Sequence, residues 1–378
     1  MSSKNYRTKQ ESRNLTNPKG KNYIVAIDAG YSSMKVFWET GCCIFPSYAK
    51  KKENSFIDIM NEDDIFYKED GSDDVYIIGK TAQNVMDDTG TNETESELYS
   101  RKRYSNKRFR ILCNVALAEA IKHKKDNRKI VIQTGLPASY LNADTGLLKK
   151  AFVQNVGFSV KKGSGKWNHY KFEIKPDDVF VMSQPLGALY SYITKPDGKY
   201  TEDAKNILSG NVLVMDIGFG TLDLFGIQNR EVKCKESVDD VGMKKVLLGV
   251  SKKILEETGE DIRVAALQKH LETGKILCVN EEEFTSEEKP IGEYLLMSSN
   301  ATMHEAIDKM RNITSSLRGY NILIVDGGTG EAWYEGIKEK LAGMKTISVM
   351  PCNRNDHLPF SYSNVRGYYM FMYSGGKS

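Results

Sequence analysis

The sequence predicts an α/β protein with two related domains. An apolar strand that ends in aspartate and then turns on small residues occurs twice, over residues 24–35 and 212–223, and the copies match in register from Asp28 and Asp216. The chain of 378 residues is longer than one hydrophobic core usually supports. Apolar strand patterns also alternate with stretches of helical periodicity in both halves. These observations together favour two half-domains with a shared cleft.

The first domain is expected over residues 22–195. Before it, residues 1–21 carry six basic residues against Glu11 alone and few apolar ones, so we expect a disordered basic arm. A solubilising tail is favoured for this arm over a contact with nucleic acid or membrane. Residues of about 50–105 are polar and lack helical periodicity, which indicates a small inserted subdomain.

Strands and helices follow in order along this domain. Gly41 marks the turn into a third strand, and residues 161–166 form a glycine-containing joint between two further strands. That joint lacks the first glycine and the Ser or Thr of a phosphate-binding P-loop, so it is interpreted as a hairpin turn. The remaining predicted elements are a strand at 75–78, a helix at 111–123, a strand at 129–134, the two strands within 149–175, and a strand at 179–182 followed by a helix.

The second domain is expected over residues 196–355, after the turn-rich segment 195–210. Asn229 and Arg230 form a turn into its third strand, which repeats the meander of the first domain. The remaining predicted elements are helices at 242–256, 261–271, 301–317 and 331–341 and a buried strand at 322–325.

Composition excludes several classes of protein. The net charge of +3 comes from 53 basic and 50 acidic residues, so the bulk of the chain is nearly neutral. No apolar stretch reaches the length of about 18 residues needed to span a membrane, and we expect a cytoplasmic protein. The six cysteines have no C-x-x-C spacing and are expected to be reduced.

Residues 99–110 interleave basic and aromatic side chains, and a solvated helix start is favoured there over a nucleic-acid contact.

The paired turns predict an anion site. Turns of glycine and short hydroxyl residues let phosphate oxygens approach the backbone N–H groups. Asp28 and Asp216, at the strand ends, are suited to hold Mg²⁺ through water. A buried strand that runs into a glycine turn is common in proteins, so one copy alone would carry little weight. Two copies in register indicate that one nucleotide is held between two half-domains.

The order of these motifs resembles the ATPase fold of actin, sugar kinases and heat-shock chaperones. Within it the chain is similar to the ParM-type bacterial actins that segregate plasmids. The closer features are residues 134–137 (TGLP), 216–223 (DIGFGTLD) and 364–369 (NVRGYY). The resemblance implies two ribonuclease-H-like domains with a central nucleotide cleft. It also implies a second inserted subdomain at about 243–300 and a C-terminal segment, 356–378, that returns to the first domain.

The resemblance assigns a role to each matching residue. Lys35 would point at a phosphate, although a surface lysine on a strand is an alternative. The helix that begins at Gly242 would supply the wall opposite the adenosine motif, with Lys245 a candidate for base or ribose contact. The residues expected to bind ATP or GTP are the first phosphate motif Asp28, Gly30, Ser32, Ser33 and Lys35, the second motif Gly218, Phe219, Gly220, Thr221 and Asp223, and the adenosine motif Gly327, Gly328 and Thr329.

Gln184 and Asp216 are the predicted catalytic residues. Gln184 matches the position that orients the attacking water in this superfamily, since phosphoryl transfer needs positioning more than a strong base. ParM-type relatives often have glutamate there, so water positioning is favoured over general-base action. The alternative is an amide that caps the following helix. Asp28 and Asp216 would anchor hydrated Mg²⁺.

The resemblance implies a nucleotide-dependent filament protein that hydrolyses ATP or GTP with Mg²⁺. Its partners would be further copies of itself, head to tail, and a DNA-binding adaptor that links filament ends to plasmid DNA. Contact with membrane or directly with nucleic acid is not expected. The alternative is a small-molecule kinase of the same superfamily that phosphorylates a sugar or carboxylic acid, although residues 139–174 offer no clear aspartate base. A chaperone would need a peptide-binding domain after residue 378.

Overall fold

A computed structural model describes residues 3–54, 56–57, 59–85, 100–153 and 157–376. Its strands are β1 Glu11–Asn14, β2 Tyr23–Ala29, β3 Ser33–Trp38, β4 Gly41–Pro46, β5 Ala49–Lys51, β6 Ile65–Glu69, β7 Val75–Ile78, β8 Ile130–Leu136, β9 Phe158–Lys162, β10 Asn168–Tyr170, β11 Val179–Ser183, β12 Asn211–Ile217, β13 Thr221–Gln228, β14 Glu231–Asp239, β15 Lys275–Asn280, β16 Thr285–Pro290, β17 Ile322–Asp326 and β18 Ser348–Pro351. Its α-helices are α1 Lys80–Asn84, α2 Lys107–Ile121, α3 Leu141–Phe152, α4 Gln184–Ile193, α5 Ala204–Ser209, α6 Met243–Thr258, α7 Val264–His270, α8 Gly292–Ile313, α9 Gly328–Leu341 and α10 Ser363–Tyr373. Short 3₁₀ helices lie at Ser3–Tyr6, Arg101–Ser105, Ala138–Tyr140, Pro176–Asp178 and Phe360–Tyr362.

Two sheets share one topology. The first has the order β1-β4-β3-β2-β8-β11, and the second has the order β14-β13-β12-β17-β18. Apart from the added edge strand β1, each sheet is an antiparallel three-strand meander whose first strand is followed by two parallel strands. The duplication predicted from the two hairpins is therefore confirmed at the level of strand order.

Smaller sheets extend both halves. The strands β5, β6 and β7 form a five-stranded sheet with β9 and β10, so the part inserted near residues 50–105 also recruits residues 158–170. In the second half the hairpin β15–β16 lies between helices, within the expected insertion at about 243–300. The turn at Gly163 has φ 48°, and the strands on either side pair antiparallel, which confirms the hairpin interpretation of residues 161–166.

Residues 3–21 of the N-terminal arm pack against the rest of the molecule, so the expectation that the arm over residues 1–21 is disordered is wrong for the part that the structure describes. Strand β1 pairs antiparallel with β4, and Tyr6 is 6 % exposed within the core of the second half. Two of its basic residues have acidic partners, since Arg7 pairs with Glu272 and Arg13 with Glu11. Composition pointed to disorder because the pairing strand β4 and Glu272 lie far from the arm in sequence. Without β1, strand β4 would present an unpaired sheet edge.

Some element boundaries also differ from expectation. Residues 141–152 form α3, although strands were expected from residue 149 onward, because Leu148, Ala151 and Phe152 bury one face of a helix. The turn-rich segment 195–210 contains the short helix α5. Helix α8 begins at Gly292 rather than at residue 301.

The last helix, α10, packs against the first sheet and against α4. Its buried aromatic residues join a cluster that includes Ile24, Phe37 and Met182 of the first sheet. Helices α4 and α10 approach closely, since a methyl group at Gly187 would lie 2.8 Å from the carbonyl oxygen of Asn364. The chain therefore returns to its first half after residue 356, as the resemblance implied.

Candidate functional site

A cavity of about 500 Å³ lies between the two halves of the molecule. It opens where the β2–β3 and β12–β13 turns face each other, and it brings together most of the residues predicted from the sequence. Those that line it are Asp28, Gly30, Ser32, Ser33, Lys35, Gln184, Asp216, Gly218, Phe219, Gly220, Thr221, Asp223, Gly327, Gly328 and Thr329.

The first hairpin carries an ion pair at its end. Asp28 and Lys35 are directly opposite each other in the β2–β3 register, and Lys35 Nζ lies 3.0 Å from Asp28 Oδ2. The Lys35 side chain is 15 % exposed, so the alternative of a surface lysine is wrong. The pair places one positive charge at the cavity wall beside a buried carboxylate.

Gln184 faces the same carboxylate. It is the first residue of α4, and its Nε2 donates to Asp28 Oδ1 at 2.9 Å. The N-cap of α4 is Ser183, and no side chain caps that helix end. The alternative in which Gln184 serves as a helix cap is therefore not supported, and its amide points into the cavity wall.

The second hairpin is acidic where the first is mixed in charge. Asp216 and Asp223 are opposite each other on β12 and β13, and Asp326 is the register partner of Asp216 on β17. Burial and these neighbouring carboxylates raise the pKa of Asp216 well above its usual range. Asn364 Nδ2 donates to Asp216 Oδ2 at 2.7 Å and favours the ionised form.

The carboxylate of Asp223 is held by hydrogen bonds from neighbouring protein groups. It accepts from Thr221 Oγ1 at 2.8 Å, from the Ala138 amide at 3.3 Å and from Ser237 Oγ. Burial raises the pKa of Asp223 to about 6, and these hydrogen bonds act in the opposite direction. This residue therefore fixes the hairpin against the loop that follows β8.

The turns between the paired strands offer backbone donors. Within the described part of the chain, the N–H groups of Tyr31, Ser32 and Gly220 donate no hydrogen bond. A methyl group at Gly218 would meet only the Thr221 carbonyl oxygen, at 3.7 Å, so the space beside it is open. Unpaired amides next to open space form an anion-binding concavity.

The third glycine turn, which begins at Gly327, packs against the second hairpin. Gly327 has φ 85°, and a methyl group there would lie 2.6 Å from Asp216 Oδ1. Thr329 Oγ1 donates to the Gly218 carbonyl at 2.7 Å. Glycine is required at 327 because a side chain would be strained in the left-handed region and would collide with the neighbouring strand.

The helix that follows Gly242 reaches the cavity through its first residue, Met243, as expected, whereas Gly242 and Lys245 themselves are absent from the described residues that line it. Gly242 has φ 140° and lies against the carbonyl oxygens of Gly218 and Phe219, so it supports the second turn from outside. Lys245 Nζ pairs with Glu305 Oε2 at 2.5 Å.

Arg103 belongs to the site, although the sequence favoured a solvated helix start for residues 99–110. It is 7 % exposed and donates to the carbonyl oxygens of Gly30, at 2.8 Å, and Ala29. Its guanidinium lies 4.2 Å from the centre of the Tyr31 ring. The interleaved aromatic residues were the signal, because they bury the guanidinium among rings.

Further lining residues come from distant segments. The N-terminal residues 5–9 and Glu11 contribute one wall, and Asn364 contributes another. Asn364 lies within the terminal motif that marked the family resemblance, whereas the N-terminal residues carried no signal in the sequence.

The arrangement is compatible with a hydrated metal ion. Asp28 and Asp216 both line the cavity, and carboxylates that act through water suit Mg²⁺, which gives up its water reluctantly. Among the described residues, no group of three or more His, Cys, Asp or Glu side chains is arranged to hold a metal directly. No helix in the same part of the chain is long and apolar enough to cross a membrane.

This architecture is similar to that of known proteins. Residues 26–187 match the family model of the N-terminal domain of actin-like proteins. No curated protein sequence matches the chain.

Solved structures match nearly the whole chain. A non-polymerisable quadruple mutant of pCBH ParM has a TM-score of 0.70 and 19 % identity, with 93 % of this chain and 98 % of that chain covered. A ParM of Clostridium botulinum, from a 15-stranded filament, has a TM-score of 0.69 and 20 % identity with the same coverage. The archaeal actin homologue Ta0583 has a TM-score of 0.64 and 19 % identity, covering 92 % and 98 %. The protein therefore has the actin-like fold, similar to that of ParM proteins, with an actin-like N-terminal domain over residues 26–187.

Proposed function

We propose that the protein is an actin-like filament protein that binds and hydrolyses ATP or GTP in the cavity between its two halves. The observation that carries this proposal is the hydrogen bond from Gln184 to Asp28, since it joins the expected water-orienting residue to one phosphate hairpin. The free amide N–H groups of Ser32 and Gly220 would donate hydrogen bonds to phosphate oxygens from opposite sides.

The chemistry would depend on positioning. Lys35 would place its charge beside the transferred phosphate while Asp28 holds it in place. Gln184, once released from Asp28 by the ligand, would orient the attacking water in line with the γ-phosphate. Mg²⁺, when bound, would neutralise charge on the phosphates, and Asp28 and Asp216 would hold its water shell.

Assembly is proposed from the relatives. The matched ParM of Clostridium botulinum forms a 15-stranded filament, and the Alp12 filament structure also shares the fold, with a TM-score of 0.55 and 17 % identity. Head-to-tail contacts between copies of this chain would generate a filament if the rotation does not close. Binding of nucleotide would favour assembly through the closed form of the cleft. A role in plasmid DNA segregation, through an adaptor that binds DNA, follows from the same likeness.

One sample tests both activities. Purified protein receives Mg-ATP or Mg-GTP, and light scattering and phosphate release are followed together. We expect scattering to rise on addition of nucleotide and phosphate to appear afterwards. Phosphate transfer that requires a sugar or carboxylic acid, with no scattering, would reject the filament and favour a kinase. A kinase base is not supported either, since Asp144, the single aspartate of residues 139–174, pairs with Arg101 at 2.8 Å and is not among the described residues that line the cavity.

Gln184→Ala separates hydrolysis from binding. We expect phosphate release to slow by about 100-fold with assembly retained, since only the orientation of water is lost. The matched control is Gln228→Ala, because Gln228 lies outside the cavity and donates to the Arg318 carbonyl at 3.0 Å. Loss of nucleotide binding in Gln184→Ala would show that this glutamine has a structural role.

A further inference from the structure

The N-terminal strap, residues 3–10, crosses from one half of the molecule to the other. It begins on the second half, where Ser3 Oγ donates to the Leu271 carbonyl at 2.9 Å and Tyr6 is buried. It ends on the first half, where Gln10 Nε2 donates to the Asp63 carbonyl at 2.7 Å and Gln10 Oε1 accepts from the Lys80 amide at 2.9 Å. The strap then continues into β1. Both of its ends are thus anchored, one on each side of the cleft.

Arg7, in the middle of the strap, contacts both halves at once. Its guanidinium pairs with Glu272 of the second half, and its Nη2 donates to Asn84 Oδ1 of the first half at 3.2 Å. The Arg7 side chain is 9 % exposed, and burial lowers its pKa. Separating the two halves would break one of these contacts and expose a cation that is now buried.

The strap is also a wall of the cavity. Five consecutive residues, 5–9, line the same space as the phosphate hairpins. Arg7 Nε is buried and, within the described part of the chain, has no hydrogen-bond partner. Lys9 is close enough to Glu331, another lining residue, to lower the pKa of that carboxyl against the larger, raising effect of burial. A buried donor without a partner costs free energy unless a ligand satisfies it.

We propose that the strap is part of the nucleotide site and that it retains the bound nucleotide by tying the two halves together across it. This inference rests on the proposed function, because it takes the cavity to be the nucleotide site. Arg7 acts as the tie, and residues 5–9 form a wall against which the ligand packs. A nucleotide that leaves must pass the strap, so the exchange rate depends on how firmly the strap is held.

The test measures how fast nucleotide leaves. A fluorescent ribose-labelled ATP is bound to the full chain with Mg²⁺, and its dissociation is followed by stopped flow after excess unlabelled ATP is added. The variants are a deletion of residues 2–9, which leaves β1 intact, and Arg7→Ala. The matched control is Lys4→Ala, which removes an exposed cation from the same strap outside the cavity lining.

We expect dissociation to be about threefold faster in Arg7→Ala, because the hydrogen bonds of one charged side chain are lost. It should be about tenfold faster in the deletion, because the other contacts of the strap are lost as well. Lys4→Ala should remain within about twofold of the intact chain. If the deletion does not fold, as judged by its melting curve, Arg7→Ala decides alone. Unchanged dissociation in a folded Arg7→Ala variant would overturn the strap proposal. Failure of the intact chain to bind either ATP or GTP would instead refute the proposed function.

Discussion

Replacing Gly187 by alanine tests the close contact between α4 and α10. The new methyl group would lie 2.5 Å from Cε1 of Tyr368 and 2.8 Å from the backbone carbonyl oxygen of Asn364. Tyr368 is fully buried, so its ring cannot turn aside without disturbing the residues around it. A backbone oxygen has no rotamer to change. The two helices must therefore move apart to admit the methyl group.

The net effect is the balance of two opposing terms. Alanine in a helix interior is favoured over glycine by about 1 kcal/mol. Overpacking a buried contact costs about 1–3 kcal/mol, and a clash with backbone lies near the upper end of that range. We therefore expect Gly187→Ala to lower the free energy of unfolding by about 2 kcal/mol, which corresponds to a fall of about 2–3 °C in Tm for a chain of this length.

Gly146→Ala is the matched control. Gly146 lies within α3, and nothing stands within 4 Å of a methyl group placed there. It gains the same helix propensity without the clash, so its Tm should equal or exceed that of the intact protein. The measurement is differential scanning calorimetry of the three proteins without nucleotide. A Gly187→Ala variant as stable as Gly146→Ala would refute the reasoning.

Two further predictions concern the buried groups of the site. Burial raises the pKa of Asp223 from 3.8 to about 6, so the folded state binds more protons than the unfolded chain between those values. Stability without Mg²⁺ should therefore fall by up to about 3 kcal/mol as pH rises from about 4 to about 7, and Asp223→Asn should flatten this slope in urea unfolding. Parallel slopes for the two proteins would contradict this. Arg103→Lys should destabilise by about 1–2 kcal/mol, since an ammonium cannot hold the Ala29 and Gly30 carbonyls in the same fork, and unchanged melting would argue against that role.

The parts of the structure that the sequence predicted are local. The two hairpins could be recognised because strand, turn and glycine lie within a dozen residues of each other. Their duplication then predicted the two related domains of the fold. Gln184 was predicted because it follows a strand at the position where the resembling superfamily places a water-orienting residue. Its contact with Asp28 shows why its position matters, although the two lie 156 positions apart in sequence.

The parts that the sequence missed depend on distant partners. The basic arm looked disordered because its anchors, such as the Leu271 carbonyl for Ser3, lie 268 positions away. Lys245 appeared available for a ligand, whereas Glu305 pairs with it. The charge and composition of a segment show which kind of partner would stabilise it. Only the folded structure shows whether such a partner lies close to it.

The place of α10 has a consequence for synthesis of the chain. This helix covers an apolar face of the first sheet, where Ile24, Phe37 and Met182 contact its aromatic residues. A ribosome completes the first sheet with β11 long before it makes residues 363–373, so the emerging chain carries that face uncovered for about half of its translation. Uncovered apolar sheet favours aggregation. Polypeptides that stop short of α10 should therefore be insoluble or bound by chaperones, even though every strand of both sheets is already present.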